Sequence, residues 1–222
     1  MNAPAPAVDW NRTLPLIAIL RGIRPEEVVE HVGALVEAGF TAIEVPLNSP
    51  AWPKSIEAIL ARFGSQTLIG GGTVLRNDEV DTLAALGARL IVTPNTRPSL
   101  IAYAVARGLY VAPGFATASE AFYAIEAGAQ ALKLFPATTY GPGHVRALRA
   151  VLPPALPLFA VGGITPANLA EYLAAGCTGA GLGSDLYRPG QRAEDTAVRA
   201  RDFAGAYQSH REGHRARQAA AS

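Results

Sequence analysis

The sequence predicts an α/β chain folded as a single-domain (β/α)8 TIM barrel. One phrase recurs down the chain: a helical stretch, a glycine, about two residues, then a short apolar run. Counting these runs gives eight strands alternating with helices, and regular β–α alternation builds a parallel sheet. Eight units packed into about 190 residues leave only short loops, which suits a closed barrel. A doubly wound open sheet is the alternative, but no Gly-x-Gly-x-x-Gly follows the first strand, so its dinucleotide-binding version is disfavoured.

Taken in order, residues 1–13, rich in Ala and Pro at the start, read as a flexible lead-in. Leu16-Ile17-Ala18-Ile19-Leu20 is a buried strand ending at Arg21-Gly22. Arg24-Pro25-Glu26-Glu27 opens a helix, with Pro near its first turn and acids beside the positive end of the dipole. Val28, Val32, Leu35 and Val36 supply its apolar stripe and Gly39 ends it. The later strands are Ala42-Ile43-Glu44-Val45, Leu68-Ile69-Gly70, Leu90-Ile91-Val92-Thr93 and Tyr110-Val111-Ala112. After them come the strand around Lys133, then Leu158-Phe159-Ala160-Val161 and Gly179-Ala180-Gly181-Leu182. Thr117-Ala118-Ser119-Glu120 reads as a capping box, and Thr165-Pro166 as an N-cap with Pro at the first helical position. A last helix is expected over 194–207, closing a barrel domain of residues 14–207. Beyond it, 208–222 read as a disordered, Arg- and Ala-rich tail.

Composition narrows the function. Of 222 residues, 50% are hydrophobic and 17% charged, enough for a sizeable core. The net charge of +1 gives no field favouring nucleic acid or an anionic membrane, so neither is expected as a partner. Cys177 is the single cysteine, which excludes an internal disulfide framework and fits a reducing compartment. The four histidines form no metal-ligand pattern, so no metal is expected. No apolar run approaches the roughly 20 residues that span a bilayer, and the first residues lack the basic and apolar regions of a signal peptide. A cytoplasmic protein is expected.

The chemistry turns on Lys133, inside Ala131-Leu132-Lys133-Leu134-Phe135-Pro136. The chain has 17 arginines among its 19 basic residues; its only other lysine is Lys54. A desolvated lysine can lose its proton and act as a nucleophile, which arginine cannot. The plainer reading is a lysine at a strand end with its stem buried and its head in water. If Leu132 and Leu134 face the helices, Lys133 faces the barrel interior; the same parity turns Glu44 inward between Ile43 and Val45. Arg21 follows Ile17 and Ile19 in phase, and Gly71-Gly72-Thr73 ends the third strand. An acid, a lysine, an arginine and a hydroxyl thus converge on the carboxyl ends of the strands, where barrel chemistry sits. A structural Glu44–Lys133 ion pair is the rival reading, although burying charge for structure alone is costly. Gly162-Gly163 and Gly181-Leu182-Gly183-Ser184 follow the seventh and eighth strands, the usual phosphate-holding position of such barrels. A phosphate grip beside an inward lysine and acid suggests Schiff-base chemistry on a phosphorylated keto compound.

Seven stretches resemble the class I 2-dehydro-3-deoxy-6-phosphogalactonate aldolase family, a branch of the KDPG/KDPGal aldolases. They are Leu14-Pro15-Leu16-Ile17-Ala18-Ile19-Leu20-Arg21-Gly22, Glu44-Val45-Pro46-Leu47-Asn48-Ser49, Gly70-Gly71-Gly72-Thr73-Val74, Thr93-Pro94-Asn95, Leu132-Lys133-Leu134-Phe135-Pro136, Val161-Gly162-Gly163 and Gly181-Leu182-Gly183-Ser184-Asp185-Leu186-Tyr187. The resemblance spans residues 14–191 in order, with Gly71 standing where relatives often have Ala. The sister family acting on the gluconate-derived epimer is similar, but typically has Arg at the position of Asn48 and Thr at that of Val161. The resemblance implies a lyase that cleaves 2-dehydro-3-deoxy-6-phosphogalactonate to pyruvate and glyceraldehyde 3-phosphate. Lys133 would be the imine-forming residue and Glu44 the proton shuttle. Arg21 and Thr73 would hold the carboxylate, Gly162, Gly163, Gly183 and Ser184 the phosphate, and Val161 would lie along the substrate. It also implies no cofactor and a homotrimer. Turnover of the gluconate epimer, alone or alongside the other, is the nearest alternative. A phosphosugar isomerase, or a barrel that only binds phosphorylated ligands, is the more distant one.

Overall fold

The computed structural model describes residues 8–220. Its strands are β1 (Leu14–Ile19), β2 (Phe40–Pro46), β3 (Leu68–Gly72), β4 (Leu90–Val92), β5 (Tyr110–Ala112), β6 (Gly114–Phe115), β7 (Leu132–Leu134), β8 (Leu158–Val161) and β9 (Gly179–Leu182). Between them run α1 (Val28–Glu37), α2 (Trp52–Phe63), α3 (Asn77–Leu86), α4 (Pro98–Val105), α5 (Ala118–Glu126), α6 (Ala137–Arg149) and α7 (Leu169–Ala174), and α8 (Ala193–Ala220) follows the last strand. All recorded strand pairs are parallel, in the order β5-β4-β3-β2-β1-β9-β8-β7-β6. The chain is a single-domain (β/α)8 barrel.

Nine segments stand where the sequence suggested eight strands because the fifth is broken at Pro113. Proline has no N–H to give a ladder, so the strand is interrupted at this residue. The halves divide the work: β5 pairs with β4, and β6 with β7. The Pro113 carbonyl still accepts from the Lys133 N–H at 2.9 Å, and the Gly114 N–H donates to the Thr93 carbonyl at 3.0 Å, which links the two ends of the sheet.

Side-chain parity divides the apolar residues into two sets. Leu16, Ala18, Ile43, Val45, Leu132, Leu134, Leu158 and Ala160 pack outward against the helices. Ile17, Ile19, Ala42, Leu68, Leu90, Val92, Ala131, Phe159 and Val161 form a separate cluster inside the barrel. The floor of that interior comes from a residue counted in the lead-in. Trp10 is buried, its indole N–H donates to the Tyr110 hydroxyl at 2.8 Å, and its ring meets Phe159 edge-on at 4.9 Å. A large aromatic with a partner for its one polar group is stable in a core, so residues 8–13 belong to the folded body; the rest of the proposed lead-in, residues 1–7, lies outside the described residues.

Helix boundaries follow local chemistry. At α5, the Thr117 hydroxyl accepts from the Glu120 N–H at 3.3 Å while the Glu120 carboxylate accepts from the Thr117 N–H at 2.9 Å, the expected capping box. Thr165 and Asn168 make a similar reciprocal pair, but across a turn, so regular α7 begins only at Leu169. The last helix runs well past the expected 194–207, to Ala220. Arg, Gln, Glu and Ala are strong helix formers, and Tyr207 and His210 are partly buried rather than free in solvent. Residues 208–220 are therefore helical where the sequence suggested a disordered tail over 208–222; residues 221–222 lie outside the described residues. No helix among the described residues is long and apolar enough to cross a membrane.

Candidate active site at the carboxyl ends of the strands

Lys133 and Glu44 extend the interior parity: Lys133 is two residues beyond Ala131, and Glu44 two beyond Ala42. They are 6% and 1% exposed. No ion pair within 4.0 Å among the described residues includes either group. They still influence each other. Burial holds the Lys133 ammonium below the usual lysine range; Glu44 opposes that shift and Arg21 reinforces it. Burial raises the Glu44 carboxyl, with Lys133 and then Arg21 opposing. The Glu44 Oε2 atom has no hydrogen-bond partner. A buried, unsatisfied carboxylate oxygen is expensive and marks a place where a ligand's polar atom belongs. Lys54, in contrast, is exposed on α2.

Above Lys133 lies a cavity of about 260 Å3. Arg21, Lys133, Val161, Gly162, Gly163, Gly183 and Ser184 all line it, so seven of the nine residues singled out from sequence share one space. Glu44 is not in its wall; it borders a narrower gap beneath, where Lys133 and Val161 are also lining residues. Thr73 reaches the site through Arg21, whose Nη1 donates to the Thr73 hydroxyl at 3.3 Å and to Asn48 Oδ1 at 2.8 Å. Thr73 has a φ of +59°, an uncommon conformation for a β-branched residue and one that favours sites where the surroundings impose it.

The glycine turns have the geometry of an anion cradle. Gly162 and Gly163 both have positive φ, 99° and 73°. A Cβ at Gly163 would meet Thr138 Oγ1 at 2.6 Å, so no larger residue fits this turn unchanged. At the end of β9, the Gly183 carbonyl accepts from the Leu186 and Tyr187 N–H groups, each at 2.9 Å, folding the chain into a tight turn. Within the described chain, the backbone N–H groups of Gly163, Ile164, Ser184 and Asp185 donate no hydrogen bond. Four unused donors around one cavity are what a phosphate's oxygens require.

Several residues at the site escaped the sequence reading. Phe135 lines the cavity, with Lys133 Nζ 5.2 Å from its ring centre. Parity from Lys133 could have found it. Ile164 and Asp185 also line the cavity and supply two of the free N–H groups; as backbone contributors they leave no side-chain signal. Asn48 drew notice only as a departure from the sister family, and its contact with Arg21 depends on a fold-level meeting of β1 and β2.

Comparison with known proteins agrees with this geometry. The family model for KDPG and KHG aldolases matches residues 9–200. Over 200 residues the chain is 58% identical to the 2-dehydro-3-deoxy-6-phosphogalactonate aldolase of Escherichia coli (strain K12), covering 90% of this chain and 98% of that one. The solved structure described as native KDPGal superposes with a TM-score of 0.90 at 56% identity, over 92% of this chain and 100% of the other. A KDPG aldolase from Legionella pneumophila, solved with pyruvate captured at low pH as a covalent carbinolamine intermediate, superposes with a TM-score of 0.76 at 26% identity, covering 86% and 93%. With most of its length matched by the family model and by a relative of this identity, the chain belongs to the KDPG and KHG aldolase family.

Proposed function

We propose that the chain is a class I aldolase that cleaves 2-dehydro-3-deoxy-6-phospho-D-galactonate to pyruvate and D-glyceraldehyde 3-phosphate. The observation that carries this reading is Lys133. It is a buried amine held below its ordinary pKa, standing between a buried carboxyl and four unused backbone donors. The capture of a pyruvate carbinolamine on the Legionella relative supports the same chemistry. The substrate assignment rests on the similarity to the E. coli galactonate enzyme.

The reaction follows from the positions. An unperturbed lysine is neutral in roughly one molecule in 2500 at pH 7; a lowered pKa enlarges that fraction. Neutral Lys133 attacks carbon 2 of the substrate ketone, and Glu44 supplies the proton that lets the carbinolamine lose water as an iminium. The iminium accepts the electron pair of the bond between carbons 3 and 4, while the carbon 4 hydroxyl gives its proton to Glu44. Glyceraldehyde 3-phosphate leaves, and the enamine is protonated at carbon 3 and hydrolysed to pyruvate. Arg21, held by Asn48 and Thr73, binds the carboxylate. The Gly162-Gly163 and Gly183-Ser184 turns bind the phosphate. The imine is its own electron sink, so no cofactor or metal enters the scheme. The same reading has the protein work in the cytoplasm as a homotrimer, as the family resemblance implies; light scattering should return about three times 23.1 kDa, and a single-chain mass removes the trimer.

Incubation with pyruvate and borohydride should fix a reduced adduct on Lys133, identified by peptide mass. No adduct, or one confined to Lys54, rejects imine chemistry and leaves an isomerase or a simple ligand-binding barrel. Glu44→Gln should fold and bind substrate but lose about 10²–10⁴-fold in turnover, the usual scale for a general acid–base group. A variant that unfolds yet keeps normal specific activity in its folded fraction makes Glu44 structural.

Epimer preference depends on Val161 in this reading. It lines the cavity between Lys133 and the glycine turn, where the carbon 4 hydroxyl has to pass. Threonine has nearly the shape of valine but offers a hydroxyl to bond a substrate oxygen. One such bond contributes about 0.5–1.5 kcal/mol net, equivalent to roughly 2- to 13-fold. Val161→Thr should therefore raise kcat/KM on the gluconate-derived epimer relative to the galactonate-derived one by that order. An unchanged ratio, or a shift the other way, transfers selection to Asn48 and Arg21.

A further inference from the structure

A second concavity, about 500 Å3, lies far from the barrel mouth. Cys177 and Thr178, at the amino end of β9, form part of it, so it opens at the end of the barrel opposite Gly183 and Ser184. One wall is α7, through Leu173 and Ala174; the other is the carboxyl-terminal half of α8, with Tyr207 at its inner edge. Arg211, Arg215 and Arg217 project from α8 into the lining, together with His210 and His214, whose rings stack nearly parallel at 6.3 Å. Among the described residues, no acidic side chain lines the groove. No ion pair among the described residues includes any of the three arginines.

The negative end of the helix dipole accounts for a cation in the last turn, where Arg217 lies, but not for Arg211 more than a turn earlier. Like charges gathered on one concave wall repel one another, and an anion between them removes that repulsion. The volume falls within the range of small-molecule sites, about 300–1,000 Å3. Guanidinium groups suit phosphate oxygens in particular, through paired N–H donors. Leu173 and Ala174 add an apolar surface for the rest of such a molecule, beside Arg211, whose guanidinium lies over the Tyr207 ring at 6.0 Å. A membrane fits poorly, because residues 208–217 contain no large apolar side chain to insert. A polynucleotide also fits poorly: the chain's net charge is only +1, and Tyr207 is the groove's single aromatic platform apart from the histidines. The α8 wall lies beyond residue 200, where the match to the family model ends.

We propose that this groove is a second binding site, remote from the mouth, for a phosphate-bearing small molecule of about nucleotide size. The full-length protein is titrated calorimetrically with ADP and with inorganic pyrophosphate, alongside two variants that leave the mouth untouched. Arg211→Ala/Arg215→Ala/Arg217→Ala removes the charge. Ala174→Trp keeps every charge but fills the groove from α7, which guards against a fault in the altered helix. Saturable ADP binding by the wild type should weaken about a hundredfold or more in the triple variant and fall clearly in Ala174→Trp, with aldol-cleavage kcat/KM unchanged in both. Binding that survives both variants belongs to the mouth and overturns the proposal, as does the absence of saturable binding by either probe. Binding of a single-stranded oligonucleotide or phosphatidylglycerol vesicles in preference to both probes also overturns it, assigning the arginines to a macromolecular surface.

Discussion

Desolvation of two opposite charges inside one barrel governs the site. Lys133 and Glu44 are each shifted first by burial, and in both cases toward the neutral form. Their mutual attraction opposes the shift, but they make no direct ion pair that would satisfy either group. A tight pair would have stabilised ammonium and carboxylate together and left the amine unreactive. The separated arrangement instead leaves burial as the larger influence on each group, moving the lysine down and the carboxyl up from their ordinary values. In the proposed reaction the neutral amine is the form that attacks carbon 2, and a protonated Glu44 is the form that can give its proton to the oxygen that departs when the carbinolamine loses water. Iminium formation then fixes a positive charge near Glu44, which favours its carboxylate. The acid of the first step becomes the base of the second without any movement of the chain.

Such burial requires the interior to stay dry below the reacting atoms. Trp10, Tyr110 and Phe159 close the barrel under the site, and Trp10 comes from outside the strand-and-helix repeat. At the other end the arrangement is exposed and polar: Arg21, Asn48 and Thr73 form a hydrogen-bonded group, and the glycine turns present backbone donors. Interactions with the substrate's two charged ends are remote from the bond that breaks. They can therefore position carbon 2 over Lys133 and offset the cost of holding it there.

The sequence made the barrel and most of the site legible because both rest on local periodicity. Glycine punctuation marked the start of five strands, at Gly39, Gly87, Gly108, Gly128 and Gly176, and the alternation of side chains along a strand sufficed to turn Glu44 and Lys133 inward. What escaped it depends on partners distant in the chain. Pro113 looked like the end of a strand because only the positions of Thr93 and Lys133 reveal that pairing resumes after it. Trp10 looked like lead-in because its phenol partner is 100 residues away. The extension of α8 was misread for the opposite reason. Its polar composition suggested a solvated tail, but Ala, Arg and Gln favour helix wherever a preceding turn has already nucleated it. The free N–H groups of Ile164 and Asp185 could not be seen at all, since backbone hydrogen bonding carries no residue signature.

Room for chemistry inside so narrow a barrel comes from missing side chains. A Cβ on Gly72 would collide with the Glu44 carboxylate, so that glycine is what lets the acid lie flat against the neighbouring strand. On the far side, a Cβ on Gly181 would sit 2.8 Å from Val161 Cγ2 and 3.3 Å from Ile19 Cδ1, too close for Val161 to stay where it is. An eight-stranded barrel normally fills its interior with branched side chains in layers. Here the lower layer is filled by Trp10, Phe159 and the aliphatic residues, while the upper layer is thinned by Gly72 and Gly181. The boundary between filled and thinned layers falls at Lys133 and Glu44. The low dielectric that shifts their protonation and the open space that admits a substrate therefore meet at the same atoms. Neither condition alone would make a buried lysine into a usable nucleophile.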